Sequence, residues 1–276
     1  MICWFQMDVF MDAMTMGIVL IGCGIIGFLF APLGLGGGLL FAPLLHYGLN
    51  WEIDGALLIV SLGLSATVSF GSGLRHRKEG HISDDSLKKC LWAAIPGAIV
   101  GVIIVVLIRD SFDPLFKGLS LVFITWAIIK TLRSKTISTE DAVETNIVAM
   151  RSGVASGGFL SSVLGIGAGA IYVPVLRTYG SLESRTAIGT SLHIMMIVLP
   201  ISILTHFATL DSSQIDVLSS NFLLILCLIV VVPVAANLGA RFGIANISEQ
   251  RVMQLFVVVL FIIGLRYVLD ISQELF

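Results

Sequence analysis

The chain has 276 residues, of which 57% are hydrophobic and only 12% charged, with a mean hydropathy of +1.00 and a formal net charge of −2. A water-soluble domain carries about 25% charged residues, so these few charges cannot cover a water-facing surface and lipid must solvate much of the chain. The near-neutral balance gives no electrostatic footprint for nucleic acid.

In chain order, no basic segment precedes the first apolar run, so no cleaved signal peptide is expected. Stretches of roughly 20 apolar residues, enough to cross the hydrocarbon core, are expected at 13–33, 55–74, 91–108, 115–132, 147–164, 186–209, 217–240 and 252–269. Lys117, Lys130 and Arg151 fall near span ends, where long basic side chains reach the interface. Two further apolar pieces, 35–49 and 166–179, are too short to cross comfortably as straight helices. Cys3, Cys23, Cys90 and Cys227 form no CxxC pair, so neither a disulfide nor a metal site is expected. Cys23 and Cys227 sit in apolar runs, where they read as small hydrophobes.

Each short piece follows a glycine cluster and reaches a proline. Gly34, Gly36, Gly38 and Pro43 map onto Gly165, Gly167, Gly169 and Pro174 at a constant offset of 131. Ser61 and His76 are spaced like Ser191 and His206, and Lys130 answers Arg266. The chain is therefore read as a duplication: an N-terminal transmembrane repeat over 1–132, a cytoplasmic linker over 133–145 and a C-terminal transmembrane repeat over 146–276. The fold class expected is an all-α polytopic membrane protein. Each repeat has about four full spans plus one short, glycine-initiated broken helix.

The positive-inside rule sets the orientation. If both short pieces cross and the N-terminus lies outside, Arg75, Arg77, Lys78, Lys88, Lys89, Lys130, Arg133, Lys135, Arg151, Arg177, Arg185, Arg241 and Arg251 are cytoplasmic, and Arg109, Lys117 and Arg266 are outside. That is 13 against 3 of the 16 basic residues. If neither crosses, Arg177, Arg185, Arg241 and Arg251 move outside and Arg266 inside, giving 10 against 6. The first arrangement is preferred, with both termini outside an inner cell membrane. It makes the halves inverted repeats, a frequent architecture of secondary transporters.

No Asp, Glu, Lys or Arg lies in the middle of any expected span. A helix that begins at a glycine break offers free N–H groups and a partial positive charge, and glycine admits a ligand close to the backbone. Two such ends meeting in the membrane would hold a small anion without a basic side chain. The candidate substrate-binding residues are Gly36, Gly37, Gly38, Gly167, Ala168, Gly169, Ser61, Thr190, Ser191 and His193, with Ser65 a further hydroxyl nearby. Against this, small residues also let membrane helices pack closely, and a lone histidine commonly bonds a neighbouring helix. The matched break, short helix and proline favour binding for the pair. Asn237 reads as an interhelical hydrogen-bonding residue. Arg75–Lys78 reads as a topology determinant with headgroup contact. No catalytic residue, metal or other cofactor is expected. The alternatives are an anion channel of the same fold, which saturation of flux would separate from a carrier, and an intramembrane hydrolase. The hydrolase is disfavoured because no GxSxG or HExxH pattern occurs. No GxxxxGK[ST] occurs either, so ATP use is not expected.

The runs Gly34-Leu-Gly-Gly-Gly-Leu-Leu-Phe-Ala-Pro43 and Gly165-Ile-Gly-Ala-Gly-Ala-Ile-Tyr-Val-Pro174 resemble the sulfite exporter family TauE/SafE. Thr186-Ala-Ile-Gly-Thr-Ser-Leu192, Leu74-Arg-His76, Pro96-Gly-Ala98 and Gly239-Ala-Arg241 extend the resemblance over nearly the whole chain. It implies a membrane permease whose partners are the lipid bilayer and a small anionic solute: sulfite, another sulfur oxyanion or an organosulfonate, with export common. Proton coupling and a homo-oligomer are compatible with it. Ala168 stands where the family's second motif has its middle glycine. The first half also has no clear equivalent of Gly189-Thr190, which implies an asymmetric site.

Overall fold

The computed structural model describes residues 2–31, 37–133, 145–246 and 249–275. Among these, eleven α-helices and no strand are found: α1 (Ile2–Phe30), α2 (Gly38–Leu49), α3 (Gly55–Lys78), α4 (Asp84–Leu107), α5 (Phe112–Arg133), α6 (Ile147–Leu164), α7 (Gly169–Thr178), α8 (Ser184–Phe207), α9 (Ser212–Ser220), α10 (Phe222–Asn246) and α11 (Glu249–Leu275). Seven helices among the described residues are long and apolar enough to cross a membrane. Their outward faces carry Trp92, Val122, Leu204, Leu223 and Phe261, all exposed, as lipid-facing surface requires. The chain is a multi-pass helical membrane protein, because in lipid a helix satisfies its backbone polar groups internally.

Local chemistry sets the helix starts. The Asp54 carboxylate accepts from the N–H groups of Ala56 and Leu57 at the head of α3. Ser83 caps α4, Asn146 caps α6, and Asp211 forms a capping box with Gln214 on α9. The span expected at 217–240 begins later than its hydropathy suggests. α9 ends at Asn221, whose side-chain amide donates to the Val217 carbonyl, and the long helix starts at Phe222. The expected linker falls largely on 134–144, outside the described residues.

α2 and α7 hold 12 and 10 residues, so each is only about 15–18 Å long at 1.5 Å per residue, short of a roughly 30 Å core. Each folds back on the helix before it. Gly37 lies beside Ile26, Gly22 beside Leu44 and Gly48 beside Val19, so α1 and α2 run antiparallel. Gly157 likewise lies beside Tyr172 and Gly153 beside Val175, while the Asn146 N–H donates to the Tyr179 carbonyl at 2.9 Å. The two short pieces are thus return arms of helical hairpins.

The principal helix pairings correspond between residues before and after the linker. The pairs α1–α10, α3–α10, α1–α2 and α2–α3 have counterparts in α4–α6, α4–α8, α6–α7 and α7–α8, and α3–α8 and α5–α11 map onto themselves. The halves interlock. One apolar core buries Val19, Leu45, Leu64, Phe116, Val232 and Leu260, mainly from α1, α2, α3, α5, α10 and α11. The second buries Cys90, Ala94, Met150, Tyr172 and Ile194, mainly from α4, α6, α7 and α8. The first core therefore takes α10 and α11 from the second half, and the second takes α4 from the first.

Candidate functional site

The hairpin tips are built alike. Gly37 precedes α2 with φ +70° and Ala168 precedes α7 with φ +51°, both left-handed, and neither helix has a side-chain cap. These positions are 131 apart, so an alanine adopts the conformation a glycine adopts in the other half. That strain costs a non-glycine residue on the order of 1–3 kcal/mol. The first-turn N–H groups of a helix have no i−4 acceptor within it. Those of Leu40 and Ile171 donate to the Gly37 and Ala168 carbonyls, which leaves the N–H groups of Gly38, Leu39, Gly169 and Ala170 at the tips. Here two such uncapped ends are buried, with Gly37, Gly38, Gly167, Ala168 and Gly169 all inside the bundle.

The tips touch. A Cβ placed on Gly38 would lie 2.4 Å from the Gly167 nitrogen, 2.8 Å from the Ile166 Cα and 2.6 Å from Ser65 Oγ. Ser61 Oγ donates to the Gly165 carbonyl at 2.7 Å, and the Ser161 hydroxyl donates to the Ile166 carbonyl. No basic or acidic side chain reaches this contact through a described hydrogen bond or ion pair.

Ser61 and Ser65 open a longer column on α3. Ser65 donates to the Ser61 carbonyl, Ser69 to the Ser65 carbonyl, and Ser72 to the Ala31 carbonyl at the first tip, at 3.0, 2.8 and 2.9 Å. His76 continues the same face. All four serines are fully buried. Ser69 and Ser72 were not among the residues expected from sequence. Their spacing from Ser61 through His76, in steps of three and four, carries the signal of one helix face.

The structure gathers Gly37, Gly38, Gly167, Ala168, Gly169 and Ser61 at the tips, and Gly36 lies outside the described residues. Thr190, Ser191 and His193 sit on α8. The Thr190 hydroxyl accepts from the Ser83 N–H at 3.0 Å and so holds the α3–α4 corner. Buried Ser191 approaches Met195 Sδ at 4.0 Å. His193 Nδ1–H donates to the Gly189 carbonyl at 2.9 Å.

Helix directions sort the basic residues. Arg75, Arg77, Lys78, Lys88, Lys89, Arg151, Arg177, Arg185 and Arg241 lie at one end of the bundle, and Arg109, Lys117 and Arg266 at the other. At the basic end a cleft of about 560 Å³ opens between α3 and α10, lined by Phe70, Gly71, Leu74, Arg75, Lys78, Asn237 and Arg241. The pairing equivalent to α3–α10 is α8–α4. There only about 30 Å³ is open, beside Val105, Val106, His206 and Leu210. Arg109 donates there to Asp211 at 2.9 Å and to the Thr209 carbonyl at 2.8 Å, and beside this tie a separate opening of about 480 Å³ is lined by His46, Asp54, Asp113, Asp211 and Gln214. The hydroxyl of Ser213 and the N–H of Gln214 hold the Asp211 carboxyl below the usual carboxylate range. Burial pushes Asp54 at the same end upward.

Comparison with curated proteins and with solved structures yields no match. The family model described as "Sulfite exporter TauE/SafE" matches residues 19–267, which include both hairpins, both tips and every long apolar span up to Tyr267. A chain matched over so much of its length, including the paired glycine tips on which the resemblance rested, belongs to the TauE/SafE sulfite exporter family.

Proposed function

We propose that this protein is a secondary transporter for sulfite, another sulfur oxyanion or an organosulfonate, working by alternating access around the two hairpin tips. The observation that carries the reading is the pair of buried, uncapped helix N-termini meeting at Gly38 and Gly167. Such ends bind anions through backbone N–H groups and the helix dipole. The serines of α3 donate to backbone carbonyls, so the anion's donors in this reading are the backbone N–H groups of the tips. Family membership supports movement of a sulfur anion across a membrane rather than its chemical conversion.

The inequality between the equivalent helix pairs supports alternating access. The α3–α10 cleft is open, whereas α8 and α4 leave only about 30 Å³ between them, and the opening of about 480 Å³ at that end lies around Arg109 and Asp211 instead. In this reading the halves are inverted repeats, 1–132 and 146–276. The moving bodies are the two interlocked cores rather than the halves themselves, hinged on the α3–α8 contact. Opening the second cleft would break the ties of Arg109 to Asp211 and Thr209 and part the tips.

The test is uptake of labelled sulfite, thiosulfate and a small sulfonate into proteoliposomes holding the folded protein. Saturable uptake of one of them is expected, and uptake of none would remove the sulfur-anion role. Sidedness has its own test. The basic end is assigned to the cytoplasm of an inner cell membrane, on the positive-inside rule. A cysteine replacing Ser212, with the native cysteines removed, is expected to react with an impermeant thiol reagent added outside intact cells. Reaction only after lysis would reverse the orientation.

A further inference from the structure

Where α8 crosses the end of α3, two histidines are buried without the partners that burial normally demands. His76 is 6% exposed and His193 5%. Among the described residues, neither ring nitrogen of His76 has a hydrogen-bond partner, and neither does Nε2 of His193. A buried polar atom left unpaired costs roughly 1–3 kcal/mol, so three in one place call for something to occupy them. The equivalent residue in the other half, His206, is satisfied: its Nε2–H donates to the Ser162 carbonyl at 3.0 Å. The first half spends the matching carbonyl, that of Ala31, on Ser72. His76 is therefore free by construction of this half, and the duplication alone does not explain it.

The surroundings fix the chemistry. The Gly189 carbonyl holds the Nδ1–H of His193. In the neutral ring Nε2 is then the basic nitrogen, with its lone pair aimed away from its own helix turn. His193 packs on Gly73, one turn before His76, with Cε1 at 3.6 Å from a Cβ built there. Gly189 is wedged between the His81 carbonyl and His76. A Cβ on it would fall 1.9 Å from that oxygen and 3.1 Å from His76 Cβ. The rings of His76 and half-buried His81 stand edge to face with centroids 6.2 Å apart. The three imidazoles thus form a chain from the basic end of the bundle inward, and the serine column leads from His76 to the tips. The charged groups facing this cluster are Arg75 and Glu79, which pair with each other on α3, Arg77 beside them, and Asp84 at the head of α4.

We propose that His81, His76 and His193 form a proton-carrying site through which the transporter takes up a proton together with its anion. The inference rests on the anion-transport reading and adds to it the coupling ion and the residues that carry it. His193 Nε2 accepts the proton on one side of the cycle and releases it on the other; only an N–H bond is made and broken. The imidazolium offsets the charge of a monoanion as it enters past the histidines from the basic end, before the anion moves the roughly 12 Å along α3 to the tips. Proton and anion are thereby coupled without any permanent charge in the span.

The test counts protons and anions together. Proteoliposomes carrying a trapped pH indicator are given labelled thiosulfate or a labelled small sulfonate with no starting pH gradient. These anions stay fully ionised near neutral pH, so they bring and release no proton of their own. Acidification of the lumen in proportion to the anion taken up is expected. In His193→Gln and His76→Gln the protons moved per anion should fall at least threefold, while His46→Gln, altered at the opposite end, keeps the wild-type ratio. Saturable anion uptake without proton movement in the wild-type protein would overturn the proposal, and so would an unchanged ratio in both variants. If the wild-type protein moves neither anion, the transport reading for them fails separately. The proposal is then read from exchange of the histidine ring C–H in the purified protein with sulfite present. Exchange at His76 and His193 should change with pH, and pH-independent exchange at both overturns it.

Discussion

A Gly38→Val variant is expected to lose anion uptake while remaining folded. The two tips meet at Gly38, where a Cβ would stand 2.4 Å from one backbone atom of the opposite tip and 2.8 Å from another. Backbone cannot swing aside as a side-chain end can, so the added group must push the tips apart. Overpacking of this kind costs typically about 1–3 kcal/mol, and a shift of that size between two states changes their ratio by roughly 5–150-fold. Because the penalty falls on the tip contact itself, the state in which the tips touch is disfavoured and the cycle stalls. Gly38→Ala should be slowed less than Gly38→Val, since it adds only the Cβ. Gly118→Val serves as the reference, because no atom lies within 4 Å of a Cβ built there. The measurement is initial uptake rate per folded protein, with folding followed by size-exclusion chromatography. Wild-type uptake by a folded Gly38→Val protein would remove the tips from the transport site.

Much of this arrangement was legible because its signals are local. A glycine cluster, a short apolar piece and a proline at one offset place both Gly37 and Ala168 at helix starts, since helix breaks are written in nearby residues. The lack of charge in the spans is equally local, and the proposed backbone anion site rests on it. The hairpin contacts were not legible. Nothing local says that α2 returns along α1, or that Gly38 faces Gly167, because these depend on how helices far apart in sequence meet. Thr190 shows the same limit. Its hydroxyl lies in a family-like motif, yet in the structure it accepts from Ser83, 107 residues away. Phe222 marks another. Hydropathy runs smoothly through 217–240, and only the Asp211 cap and the Asn221 side chain divide that stretch into two helices. His76 is the sharpest case. From sequence it matched His206 as a span-end residue, and only the different use of the Ala31 and Ser162 carbonyls separates the two.

Substitution at the helix crossings should fail in a different way. Gly97→Val and Gly239→Val are each expected to abolish the folded protein rather than its cycle. A Cβ on Gly97 would lie 2.2 Å from the Ala155 carbonyl oxygen, and one on Gly239 would lie 1.9 Å from that of Phe28. The opposing helix is stripped as well: a Cβ on Gly158 would lie 2.3 Å from the Ala94 carbonyl oxygen, and one on Gly27 would lie 3.1 Å from that of Val232. These are the α4–α6 crossing and its counterpart α1–α10, so each core loses a principal contact. In lipid, helix association depends on close packing because lipid tails solvate apolar surface as well as another helix does. A valine that forces two backbones apart therefore removes most of what holds the pair, at a cost of about 3 kcal/mol or more. The measurement is the fraction of protein that stays monodisperse in detergent after a heat step. Both variants should lose most of it, with Gly118→Val unchanged. A heat-stable Gly97→Val protein would mean that α4 and α6 do not approach as closely as described. With Gly38→Val folded but inactive beside it, the outcome separates the glycines that pack helices from those that face the anion, a distinction that composition and motif do not make.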